Sequence, residues 1–338
     1  MKILSPVDKV EEVEKLIEAG ASEFYCGLLT HDWHNKYIAG SINRRPGGGA
    51  NLTTFDELKS CVNIAHSHQV PVFLTFNEHY YTPEQYPYIL DYVDKVVSIG
   101  VDALLVADLA LLLTLRQKAV NTRIFISVGG NAFNSETVKF YQDLGASRII
   151  LPRHLTLKEI NIICNRVSGI ELETFIFNSR CPNVDGLCTF QHGLASQSFK
   201  PLYENACMLP YDISVVADDS VEEKQISWKR QHIWQTVHVD DYPCGACALY
   251  EFNKINITSV KIVGRGNPTA RKVTDVVFIR TLLDFLENEK PSREQYCETA
   301  QKLYQETYKR SCRVYMCYYP EVLVEKWNRQ YSSQELRI

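Results

Sequence analysis

Short runs of β-branched and other apolar residues alternate, from the first residue onward, with stretches whose apolar positions recur every three or four residues. The first rhythm is that of buried strands, the second that of helices with one apolar face. Ile3–Leu4 begins a strand and leads into a helix with Val10, Val13, Leu16 and Ile17 on one face, stopped at Gly20. Further strands are predicted at Glu23–Leu28, Pro71–Asn77, Asp102–Asp108, Arg123–Asn131, Ser147–Arg153 and Glu171–Asn178. Thr54 with Glu57, and Thr156 with Glu159, have the capping-box spacing that opens a helix, and Thr82, Pro83 and Gln85 open another. An eighth strand is expected at Thr258–Gly266, followed by a long helix from Pro268 to near Glu287.

Strand–helix units in this number predict an α/β fold, a (β/α)8 barrel of the TIM type. An open, doubly wound sheet is the alternative, because spacing does not encode closure. Between strands seven and eight lies a cysteine-rich insertion, residues 181–257, far longer than ordinary βα loops of about 2–6 residues. The run Gly47–Gly49 marks a second long loop after strand two. The expected division is therefore a barrel over 1–290, insertion included, and a helical extension over 291–338 that packs on the barrel exterior.

Composition changes this picture little. The 338 residues are 45% hydrophobic, enough for a large core, and the formal net charge of −4 provides no basic field for nucleic acid. A nucleic-acid partner is accordingly disfavoured at this point. The start, MKILSPVDKVEEVEKLIEAG, has charges every few residues, and no run approaches the roughly 18 apolar residues of a spanning helix. The chain reads as cytoplasmic, without a membrane span.

The eleven cysteines change it more. In a reducing compartment, clustered cysteines read first as metal ligands or redox groups. Cys181 follows strand seven, at the end of the barrel where such folds build their sites. Cys188, Cys207, Cys244 and Cys247 lie in the same insertion. Four thiolates meeting there suit a [4Fe–4S] cluster or a Zn(Cys)4 site. Other readings are a thioredoxin-like pair at Cys244 and Cys247, or a Cys–His arrangement of Cys181 with His154 or His192. Cys26, Cys61, Cys164, Cys297, Cys312 and Cys317 read as small buried apolar residues.

Polar residues at the predicted strand ends are the candidate substrate contacts: Asn77, Glu78, Asp108, Asn131, Arg153 and Arg265, with Arg44 and Arg45 if the glycine-rich loop folds over the mouth. Arginines here suit a carboxylate or phosphate through paired hydrogen bonds, although strand-end arginines also serve as structural partners. His31, His34 and His79 lie on loops of the same face, and Trp228, Trp234 and Tyr242 in the insertion could stack on an aromatic substrate or pack the insertion itself.

Over roughly residues 1–290 the chain resembles the peptidase U32 family. The family signature ExFxxG[SA][LIVM]CxxxxGxC is matched at Glu173, Phe175, Ser179, Cys181, Gly186 and Cys188. NAFNS and SRIILPRHLTLKEI resemble two further family stretches, Cys207 with Tyr211 its CRxxY element, and KIVGRG its KIEGR. The chain departs from the pattern at Phe177 (often histidine), Asn178 (glycine), Arg180 (aliphatic) and His154 (acidic).

The resemblance implies either of two activities: a collagenase-like peptidase, or oxygen-independent hydroxylation of ubiquinone precursors or of tRNA and rRNA bases. The hydroxylating members carry a [4Fe–4S] cluster whose ligands correspond to Cys181, Cys188, Cys207 and Cys244, with Cys247 as the alternative fourth. They use prephenate as oxygen donor, and a heterodimer with a paralogous chain is a further implied partnership. Neither HExxH nor GxSxG is present, so conventional hydrolysis lacks its usual parts. The expectation is an oxygen-independent hydroxylase or its redox partner acting on an aromatic or nucleobase-type substrate. A U32-type peptidase and a non-catalytic protein with a structural metal site are the alternatives.

Overall fold

The computed structural model describes residues 1–37, 42–45, 49–178, 181, 184–187, 222, 225, 243–255, 257–313 and 316–323. Eight parallel strands close into a barrel in sequence order: β1 (Lys2–Pro6), β2 (Glu23–Cys26), β3 (Val72–Phe76), β4 (Ala103–Val106), β5 (Arg123–Ile126), β6 (Arg148–Ile150), β7 (Glu171–Phe177) and β8 (Ser259–Ile262). The ring shuts where β8 pairs with β1, Lys2 opposite Ser259 and Leu4 opposite Lys261. Each observed strand falls inside or overlaps its predicted run, and closure decides for the TIM-type barrel over the open sheet.

Among the described residues the α-helices are α1 (Val13–Glu18), α2 (His31–Lys36), α3 (Phe55–Ser67), α4 (Tyr86–Ile99), α5 (Leu109–Gln117), α6 (Ser135–Asp143), α7 (Leu157–Arg166), α8 (Leu249–Phe252), α9 (Thr269–Glu289) and α10 (Arg293–Tyr308). Thr54 and Thr156 close reciprocal capping boxes with Glu57 and Glu159, as their spacing predicts. The Thr82–Gln85 segment forms a turn ahead of α4, the Thr82 N–H donating to Gln85 Oε1 at 2.9 Å. Strand residues are buried because helices cover the outside and side chains fill the inside.

That inside is unusually charged. Arg148, fully buried, donates to Glu23 at 2.7 and 2.8 Å and to Glu173 at 3.2 Å, and pairs with Glu171 at 2.6 Å. Its guanidinium also lies 4.5 Å from the Phe125 ring centroid. Removal from water is offset here by several good hydrogen bonds, the condition under which an ion pair survives burial. A second buried group, Lys272 with Asp8 (2.6 Å) and Glu12 (2.7 Å), ties α9 to the turn after β1.

The outer layer beside β7 is aromatic: Phe177 meets Phe278 of α9 and Tyr304 and Tyr308 of α10. Beyond α10, residues 316–323 return to β7. Tyr319 donates its hydroxyl to the Phe175 carbonyl at 2.9 Å, and Tyr318 donates to that of Asn178. No helix among the described residues is long and apolar enough to cross a membrane.

Candidate functional site

The carboxyl ends of the strands form a mouth ringed by cations. Arg265, just past β8, reaches inward: Nη1 donates to Asn43 Oδ1, Asn51 Oδ1 and Thr75 Oγ1, each at 3.2 Å, and Nη2 to the Asn43 carbonyl at 3.1 Å. These acceptors are neutral, and burial lowers its pKa to about 10, which still leaves it charged near neutrality. Gly27 makes this placement possible, since a Cβ there would lie 2.0 Å from Arg265 Nη1.

Arg153, past β6, approaches from the other side. Its guanidinium sits 4.0 Å from the Phe175 ring centroid and 3.8 Å from Asp185, its backbone N–H donates to Asp185 Oδ2 at 2.9 Å, and its buried Nε has no hydrogen-bond partner. Between them lies Tyr25, in the field of Arg265, Arg45 and Arg153, its hydroxyl donating to the Ile262 carbonyl at 3.2 Å. Burial pushes its pKa up to about 12 despite those cations, so it is a neutral donor. Lys261 Nζ lies 4.0 Å from the Tyr25 ring centroid and 3.4 Å from Glu173, and burial pulls its pKa down.

The remaining candidates divide. Asn77 donates to Ser127 Oγ at 3.0 Å and leaves its buried Oδ1 without a hydrogen-bond partner. Arg44, in a left-handed conformation (φ 53°), contacts the His79 ring, and Glu78 accepts from the His79 N–H at 3.1 Å. Asp108 is committed to structure: one oxygen caps α5 through Ala110 N–H (2.7 Å) and the other accepts from Tyr81 N–H and the Tyr86 hydroxyl. Asn131 (φ 56°), with its amide turned so that Nδ2 donates to the carbonyls of Asp185 (3.3 Å) and Gly186 (3.1 Å), holds the loop after β7. Gly186 must be glycine beside it, since φ is +79° and a Cβ would fall 2.0 Å from the Asn131 side-chain amide. Tyr25, Lys261, Asn43, Asn51 and Thr75 were not among the expected contacts. The alternation of each strand places Tyr25 and Lys261 on the inner face, a signal that could have found them.

Of the expected metal ligands, Cys181, Cys244 and Cys247 are described; Cys188 and Cys207 lie outside the described residues, as do His192, Trp228, Trp234 and Tyr242. Cys181 is half-buried and adds to the electrostatic surroundings of Arg153. Burial pushes the Cys244 thiol well up, against the smaller effect of the Ala246 N–H that its Sγ accepts at 3.3 Å. Asn178 links the two: its N–H donates to the carbonyl of Pro243, beside Cys244, at 2.9 Å, and Cys181 follows three residues later. Asn178 adopts φ 65°, a left-handed conformation that asparagine reaches more readily than most side chains.

Cys244 itself lies among Cys317, Cys312 and Asp275, and Cys247 against Cys297 on α10. Asp275, its pKa raised to about 6 by burial, accepts from Asn178 Nδ2 at 2.6 Å and the Tyr308 hydroxyl at 2.9 Å. Among the described residues no three His, Cys, Asp or Glu side chains converge as a metal site. The described cysteines offer soft sulfur donors, and the Cys244 sulfur already has a backbone N–H on it.

The sequence model of peptidase family U32 matches residues 8–326. The tRNA hydroxylation protein P of Escherichia coli is 28% identical over 221 residues, 65% of this chain and 46% of that protein. A 23S rRNA 5-hydroxycytidine synthase of Escherichia coli is 24% identical over 294 residues, 86% of this chain and 40% of its own length. An uncharacterized protease of Methanocaldococcus jannaschii is 30% identical over 194 residues, 56% of this chain and 43% of the relative. The chain thus spans less than half the length of these relatives. A solved U32 peptidase structure is similar at a TM-score of 0.43 and 14% identity, covering 79% of this chain and 94% of that one.

Proposed function

The chain belongs to peptidase family U32, and from that premise we propose that it takes part in oxygen-independent hydroxylation of a nucleobase in RNA. The observation that carries the reading is the buried cationic mouth, where Arg265 is held by neutral side chains and Arg153 keeps an unsatisfied Nε. Such a cationic site favours an anion, and a dicarboxylate oxygen donor of the prephenate type offers one carboxylate to each guanidinium. Lys261 and the Tyr25 hydroxyl beside them are further donors to an oxygen of that molecule. Asn77 Oδ1 is an acceptor for an N–H of a base.

The names of the relatives revise the expectation from net charge: a chain of net −4 can still carry a local cationic mouth, and RNA becomes the substrate to test. The cluster belongs to the same proposal. Cys181, Cys188, Cys207 and Cys244, or Cys247 as the fourth, would hold a [4Fe–4S] group, whose chemistry when bound is electron transfer or polarisation of an oxygen. Zinc on the same thiolates is the alternative metal. The peptidase reading gains less from the geometry: His154 Nδ1 faces the Asp185 backbone N–H at 3.4 Å, and the His79 ring is occupied by Arg44.

The test is anaerobic purification with iron and sulfide analysis, followed by incubation with RNA and prephenate and mass analysis of nucleosides. About four irons per chain, absorption at roughly 400 nm and a gain of one oxygen on a base support the reading. A metal-free or zinc-loaded protein that leaves RNA unchanged, alone and with a paralogous partner chain, overturns it.

A further inference from the structure

Where the C-terminal extension meets the segment before β8, several cysteines lie close together. Cys244 is near Cys317 and Cys312, and Cys247 is near Cys244, Cys317 and Cys297. Within this group the thiols of Cys247 and Cys297 are hydrogen-bonded to each other. Cys247 stands in the short 3-10 turn Ala246–Ala248 and is 8% exposed, while Cys297, on α10, is half-buried. Both backbones are pinned one residue earlier: the buried Tyr296 donates its hydroxyl to the Ala246 carbonyl at 3.3 Å, and its ring stacks on Phe285. Among the described residues no three of these side chains converge on a metal position, so what the structure presents is a pair of touching thiols.

We propose that Cys247 and Cys297 are a dithiol that closes reversibly into a disulfide, locking α10 of the extension to the segment that carries Cys244. It follows that Cys247 belongs to Cys297, and that Cys244 is the fourth ligand of the cluster proposed above; only this corollary rests on that reading. The oxidant is a small-molecule disulfide of the glutathione class. The thiolate of Cys297, the more exposed of the two, attacks one sulfur of it and expels the other half as a thiolate. The Cys247 thiolate then attacks Cys297 Sγ and expels the second half, leaving the Cys247–Cys297 bond. Two protein thiols lose two electrons, one small disulfide is reduced to two thiols, and the two protein protons pass to the leaving thiolates. Cys244 with Cys317, and Cys297 with Cys312, are neighbours by charge; the thiol–thiol hydrogen bond singles out Cys247 and Cys297.

The test uses the full chain with whatever metal it holds, prepared without oxygen and equilibrated with oxidised glutathione at about pH 8. Free thiols are then alkylated and the digested chain is mapped by mass spectrometry. The expected result is one peptide pair joined through Cys247 and Cys297, a loss of about 2 Da per chain that dithiothreitol reverses, and unchanged iron content. Cys297→Ser forms no such bond, and Cys247→Ser stops at one glutathione on Cys297. Mapping of the wild-type chain decides the pairing even where a variant fails to fold. Glutathione on Cys312 alone, a bond through Cys312 or Cys317 in place of Cys247, or iron released in step with the bond each overturns the assignment. A chain that holds no iron and still forms the Cys247–Cys297 bond upholds the pair and removes the cluster reading.

Discussion

Cys244 and Cys317 stand side by side in a parallel β-bridge, fastened by Cys244 N–H to the Met316 carbonyl and Tyr318 N–H to the Cys244 carbonyl, each at 3.0 Å. The C-terminal extension is thereby stitched to the segment that carries the expected fourth ligand. Residues paired in this way project their side chains to the same face. A thiol from the extension is thus a neighbour of the Cys244 thiol.

This relationship yields a first prediction. A chain ending at Lys309 loses both ladder bonds to Cys244 and should lose bound iron as fully as Cys181→Ser. Cys317→Ser preserves the backbone ladder, so it should keep iron while altering the absorption of the cluster, because hydrogen bonding around the sulfurs tunes such centres. Iron analysis and visible spectra of the three proteins, prepared without oxygen, decide it. Full iron in the truncated chain would detach the extension from the site.

The second prediction concerns Arg148. Its substitution by methionine takes the buried counter-ion from Glu23 and Glu173 and leaves them only Lys2 (3.1 Å) and Lys261 (3.4 Å), and removing one partner of a buried pair costs about 3–5 kcal/mol. The urea midpoint should fall accordingly. The pH dependence follows from the same contact. Burial alone would raise the Glu23 pKa, but the hydrogen bond and charge of Arg148 together hold it below 4.5. A depressed folded-state pKa contributes stability above the unfolded value that is lost as pH falls through the folded one. The wild-type protein should therefore lose stability below about pH 4.5, and the Arg148→Met variant should lose less there.

Much of this architecture is legible in the sequence because strand runs, glycine stops and capping boxes are local. The Arg148–Glu23 pair is not, since the two residues are brought together only when the barrel closes. Asp108 shows a different failure. It directly precedes an apolar helix, which is the signature of an N-cap, yet its place at a strand end invites a reading as a substrate contact. Cys317 looks like a packing residue, and no spacing rule connects it with Cys244. Arg153 and Arg265 stand at strand ends as expected, but their neutral and aromatic surroundings come from loops distant in sequence.

A third prediction addresses the mouth. Arg265→Met should leave the fold intact, because the guanidinium binds neutral side chains that can bond to one another, as Asn43 Nδ2 already does to Asn51 Oδ1 at 2.8 Å. It should weaken a carboxylate ligand by about 1.5–3 kcal/mol, the value of a hydrogen bond to a charged group. Calorimetric titration with prephenate measures this directly. Equal affinity in both proteins would remove Arg265 from the binding site.

The last prediction uses His79. Burial, with a smaller contribution from the neighbouring Arg44 charge, lowers its pKa to about 4. The ring is therefore neutral at pH 7 and contacts the guanidinium through an unprotonated nitrogen. For a base whose folded pKa lies below its unfolded value, the unfolded state takes up the proton first as pH falls. Stability is then complete above about pH 6.5, declines between about 6.5 and 4, and levels off below. NMR titration of the imidazole should find the low value in the wild-type chain and a higher one in Arg44→Gln. His79→Gln should remove this part of the stability profile. A wild-type imidazole titrating near 6.5 would show that Arg44 and His79 do not meet in solution.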